Sequence, residues 1–124
     1  MKTPTAAELQ IERDTMIEKI YDRLVEAARA KSVVYYSQIG DLLNLTMDNP
    51  CHRNELAHIL GEISSKEHQE GRPLLSAVVV HKENLRPGKG FFILAKELKK
   101  QKPEEDDDRF YVAELQRVFE QWSN

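Results

Sequence analysis

A chain of 124 residues, with 40% apolar and 31% charged side chains, fits one globular domain whose core closes without a disulfide or a metal. Its one cysteine, Cys51, excludes an internal disulfide framework and fits a reducing compartment. No apolar run approaches the ~20 residues of a membrane helix, and the opening MKTPTAAELQ lacks the apolar core of a signal peptide, so a cytoplasmic protein with no membrane partner is expected.

The first helix starts at Thr5, whose hydroxyl and the carboxylate of Glu8 form a capping box. It runs to about Ala30, with Ile17, Ile20, Tyr21, Leu24 and Ala28 on one apolar face. Ser32 to Tyr36 is β-branched and aromatic, hence a short strand. Ser37 is placed as the cap of a two-turn helix, SQIGDLLNL, in which Gly40 is a weak point. Asp48 or Asn49 caps a third helix opened by Pro50, buried along Leu56, Ile59, Leu60 and Ile63, and stopped at Gly71.

Leu74 to His81 reads as the central strand, apolar at consecutive positions and so covered on both faces. Residues 84–90 form a turn with Pro87, Gly88 and Gly90. The spacing of Phe91, Leu94, Ala95 and Leu98 predicts a helix after it, with Ala95 to Lys102 favouring helix, although Phe91 to Leu94 also suits a returning strand. Residues 103–108 are an acidic linker, and Asp108 caps a last helix over 109–122 with Tyr111, Leu115, Val118, Phe119 and Trp122 inward. The expected fold is a single α+β domain, mostly helical, with a two- or three-stranded sheet.

The formal charge of −3 is unevenly spread. Residues 1–71 carry 8 basic and 12 acidic groups, residues 72–102 carry 8 and 2, and residues 103–124 carry 2 and 7. Positive charge therefore gathers at the loop over 81–90, where Lys82, Arg86 and Lys89 are placed to meet phosphates and two glycines admit a close backbone approach. Lys96, Lys99, Lys100 and Lys102 extend that field, and the run Glu104 to Asp108 can neutralise them or compete with a polyanion.

The order of elements is that of a winged helix, with the second and third helices as a helix-turn-helix and residues 83–90 as the wing. The stretch VVYYSQIGDLL from Val33 resembles the opening of the DNA-binding domain of alkylguanine-DNA alkyltransferases and alkyltransferase-like proteins. There a strand ends in an aromatic residue followed by a small residue, Gln, an aliphatic and another small residue. The resemblance covers about a third of the chain. It implies a winged helix in which Tyr36, with Ser37 and Gln38 beside it, contacts DNA near the phosphates. Pro50, Cys51, His52 and Arg53 spell that family's active-site motif, but here they precede the third helix, whereas in the family the motif follows the recognition helix. The segment that matches the family's site, RPLLSAVV from Arg72, has no cysteine, so the resemblance implies binding without the transfer reaction.

No catalytic set, metal site or cofactor is expected. His58 and Glu62 share a helix face but are only two ligands, and strand alternation would separate Ser76, His81 and Glu83. The expected function is a non-enzymatic module binding double-stranded DNA through Tyr36, Ser37, Gln38, Lys82, Arg86 and Lys89. The alternative is a protein-interaction or regulatory adaptor using the third helix, whose Glu55, Glu62, Glu67 and Glu70 disfavour a place in a DNA groove.

Overall fold

The computed structural model describes residues 3–123. Among these residues, five α-helices surround a two-stranded parallel sheet, so the fold is mostly helical α+β. Helix α1 (Ala6–Arg29) is capped by the Thr5 hydroxyl, which accepts from the Glu8 N–H at 3.1 Å. Only its second half is buried, through Ile20, Leu24, Ala27 and Ala28. Strand β1 (Val34–Tyr35) leads directly into α2 (Tyr36–Leu42). The cap of α2 is Tyr35 and not Ser37, because the Gln38 side chain accepts the Tyr35 N–H at 2.9 Å and starts the helix two residues early. Gly40 sits in a tight place: an added Cβ would stand 2.9 Å from the Met47 methyl and 3.1 Å from the Leu45 carbonyl.

Helix α3 (Pro50–Gln69) opens on the Asn49 side chain, which accepts from Cys51 N–H at 2.9 Å, and stops where Gly71 turns to φ +75°. Its buried stripe holds Ser64 and Glu67 as well as the expected aliphatic residues.

The expected central strand is mostly not extended. Leu75–Val78 coils into a 3₁₀ turn, and only Val79–Val80 (β2) pairs, parallel to β1 with Val34 opposite Val79. Every residue from Leu74 to Val80 is buried, packed among α1, α3 and α5 (Asp107–Trp122). Buried backbone must find partners. Here side chains supply them: Leu74 N–H donates to the Glu114 carboxylate at 2.9 Å, Ser76 N–H to the Ser64 hydroxyl at 3.1 Å, and the Ala77 carbonyl accepts from Tyr111 O–H at 2.9 Å. Consecutive apolar residues thus signalled burial, not extension.

The segment expected as a wing does not form a hairpin. Residues 81–88 close on themselves, with the His81 N–H on the Arg86 carbonyl at 2.9 Å and the Leu85 N–H on the His81 carbonyl at 2.8 Å. The chain then enters α4 (Lys89–Glu97), as the helical spacing predicted, because Phe91 and Ala95, four apart, both reach the core. The acidic linker is shorter than expected. Asp106, not Asp108, caps α5, accepting from Arg109 N–H at 2.9 Å. Among the described residues no helix is long and apolar enough to cross a membrane.

Candidate functional site

A cleft of about 510 Å³ opens between α3, the start of α2, the loop over 81–88 and the first turn of α4. Its apolar interior comes from Leu56, Leu60, Phe91 and Leu94, with Met47 from the turn before α3. The wall on α3 is Arg53, Asn54, Ala57 and Gly61, recurring at three- and four-residue steps and carrying no carboxylate. Across from it stand His81, Lys82, Glu83 and Lys89.

Tyr36 lines this cleft and holds the loop in place. Its ring lies against His81 with centroids 4.5 Å apart, and its phenol oxygen accepts the Gly88 N–H at 2.9 Å. One side chain from the strand–helix junction therefore grips both ends of the basic loop, 52 positions away for Gly88. Burial raises the Tyr36 pKa, with the Gly88 N–H pulling weakly the other way, so the phenol is neutral at pH 7. Ser37 is exposed at the cleft edge, whereas Gln38 is engaged in the α2 cap and stands outside the lining.

The three basic residues of the loop are not brought together. Lys82 and Lys89 are exposed on the cleft, and among the described residues neither has a carboxylate within 4 Å. Arg86 points elsewhere: its Nε donates to Asp108 at 2.9 Å and its guanidinium sits 5.3 Å from the Tyr111 ring centroid. The loop's internal bonds and the buried Pro87 fix that direction, and Asp108, released from capping duty, completes it. The acidic run also takes Lys96, whose Nζ is 3.6 Å from Asp107. It thus neutralises the far side of α4 and leaves the cleft mouth alone. At the mouth Gly88 caps α4 with no side-chain acceptor, so the Lys89 and Gly90 N–H groups stay open to an anion, while the Phe91 N–H is taken by the Gly88 carbonyl at 3.1 Å.

The third helix is less acidic towards this site than its sequence suggested. Glu62 accepts both arms of Arg13 from α1, at 2.9 and 3.0 Å, and these bonds hold its carboxyl below the usual range. Glu67 is buried and paired with Arg72. Both lie on the side of α3 away from Arg53, Ala57 and Gly61. Arg53 lies four residues before Ala57 and eight before Gly61, and those two small residues on its face are the sign of this wall in the sequence.

The tetrapeptide at Pro50 serves the helix start. Cys51 is exposed and outside the cleft, its N–H held by Asn49. His52 Nδ1 accepts from Thr46 N–H at 2.9 Å, and Arg53 donates to the Met47 carbonyl at 3.0 Å. His58 is 3.8 Å from Glu62, and no three His, Cys, Asp or Glu side chains among the described residues are grouped to hold a metal. Ser76, bonded to Ser64 at 2.6 Å, lines the cleft together with His81 and Glu83, so the fold brings to one cavity three residues that strand alternation was expected to separate. No protein-family model, curated protein or solved structure matches this chain.

Proposed function

We propose that this chain is a mostly helical α+β module that binds double-stranded nucleic acid at the cleft, by contact with the backbone and without chemistry. The observation that carries the reading is the set of cations around the mouth. Lys82, Lys89 and Arg53 face one opening without carboxylate partners within 4 Å among the described residues, while Arg86, Lys96 and Lys100 nearby are all consumed internally. Phosphates would meet those three side chains and the open first turn of α4. Ala57 and Gly61 would let a strand lie close against α3. Tyr36 presets the loop, which lowers the ordering cost of binding. A role for Cys51 as nucleophile draws no support, since it stands off the cleft and His52 is tied to Thr46.

Fluorescence anisotropy with a labelled duplex across a salt series tests this. Three phosphate contacts give a slope of log K against log salt of about −3. Replacing Arg53, Lys82 and Lys89 with Ala should flatten that slope, whereas Arg86→Ala should leave it in place. An unchanged affinity in the triple variant would overturn the assignment.

A further inference from the structure

A second groove, of about 860 Å³, runs between α1 and the C-terminal half of α3, on the side of α3 opposite the cleft. Its floor is apolar: Ile17 and Tyr21 from α1 and Ile63 from α3. At one end Arg72 is fixed by Glu67 and lies 6.0 Å over the Trp122 ring, and Tyr21 meets Trp122 edge-on at 6.2 Å. That wall is held by its own ion pair and ring contacts. The rim is not. Asp14, Glu18 and Glu70 are exposed, and among the described residues no cation stands within 4 Å of any of them; Asp14 accepts only from Gln10, at 2.9 Å. Lys66 is the one rim cation against these three carboxylates. Ile11, 66% exposed, continues the apolar surface along the same side of α1 as Asp14 and Glu18.

We infer that this groove docks a basic amphipathic helix of a partner protein. The apolar floor between two helices takes the i, i+3, i+4 face of a third. The three carboxylates, none of them in an ion pair among the described residues, select lysine or arginine on its flanks and repel nucleic acid and anionic lipid. From Ile11 to Tyr21 the α1 wall is about 15 Å long at 1.5 Å per residue, room for roughly three turns of a guest helix. The inference stands apart from the nucleic-acid reading, because the two surfaces share no side chain. If both hold, α3 is the partition between a polyanion site and a polycation site, and the module bridges a protein to nucleic acid.

The test uses the full chain and a fluorescein-labelled 18-residue peptide of Leu and Lys in amphipathic helical order, with a Leu/Glu peptide of the same pattern and a scrambled Leu/Lys peptide. Saturable binding of the first alone is expected, with amide shift changes confined to Asp14–Tyr21 and Ile63–Arg72. The double reversal Asp14→Lys, Glu18→Lys should weaken it about tenfold, at roughly threefold for each exposed charge. The Arg53, Lys82, Lys89 triple variant should bind the peptide as the parent does, which separates a failure here from a failure at the cleft. Shift changes at the cleft or spread over the surface, equal binding of the scrambled peptide, or a double reversal within twofold of the parent would each overturn the inference. So would binding to phosphatidylserine vesicles that the peptide does not displace.

Discussion

The back of the core and the mouth of the cleft hold the same kinds of charged side chain in opposite conditions. At the back, Glu114 is fully buried and accepts from Leu74 N–H, from Lys100 at 2.6 Å and from Arg117 at 2.9 Å. Glu67 and Arg72 satisfy each other, and Tyr111 donates to Ala77. At the mouth, Lys82 and Lys89 reach solvent with no carboxylate within 4 Å among the described residues. A buried charge without partners is costly, so the first region had to be completed by the chain itself. An exposed lysine carries no such penalty and can wait for a ligand. The contrast separates charge that builds the fold from charge left over for function.

The largest expected effect follows from emptying the back. Glu114→Ala would leave a buried N–H and a half-buried ammonium without their acceptor, and should cost roughly 3–5 kcal/mol in urea unfolding. A loss below about 1 kcal/mol would mean that the group is not structural, and the contrast would fail.

The same carboxylate makes a pH prediction. Burial alone would raise its pKa, but Lys100, the Leu74 N–H and Arg117 outweigh burial and hold it below its ordinary 4.5. A depressed folded-state pKa means that the unfolded chain takes up the proton first as the solution is acidified. The contribution of Glu114 is therefore complete above pH 4.5 and is lost as pH falls through the folded value. The melting temperature should drop in that range, and Glu114→Gln should flatten the drop.

A smaller effect is expected between the two regions. Tyr36→Phe keeps the stack on His81 and loses the bond from Gly88 N–H, at about 1 kcal/mol. Hydrogen exchange should speed up at the Gly88 amide and through residues 81–88 while the Leu74–Val80 amides stay protected. Uniform acceleration would show that Tyr36 supports the core and not the loop.

The smallest change is expected at the mouth. Lys82→Ala with Lys89→Ala should alter stability by no more than about 0.5 kcal/mol, the usual range for surface substitutions. A larger loss would place these lysines with the structural charges and sharpen the division in the other direction.

Much of the architecture was legible because its signals are local. Thr5, Asn49 and Gly71 each act within a few residues of a helix end, and the stripe Leu56, Ile59, Leu60, Ile63 needs only the helical period. The cap of α2 was misplaced because Gln38 reaches back to Tyr35, an option that a reading centred on Ser37 overlooked. The candidate site was legible in part: Tyr36, Ser37, Lys82 and Lys89 do border one cleft, while Arg86 is drawn to Asp108, 22 positions away. Arg53 and the small-residue wall of α3 became visible only once α3 had a direction.

The sequence by itself determined where α1 and α3 begin and end and how charge divides along the chain, since each depends on neighbours within a turn or two. The tertiary structure decided that Leu75–Val78 is a 3₁₀ turn, that the two strands run parallel, and which side of α3 faces the basic loop. Those outcomes rest on partners brought from afar: Glu114 to Leu74 across 40 positions, Tyr111 to Ala77 across 34, Tyr36 to Gly88 across 52. A buried backbone group takes whichever donor or acceptor the packed chain places beside it, and only the closed fold determines which one that is.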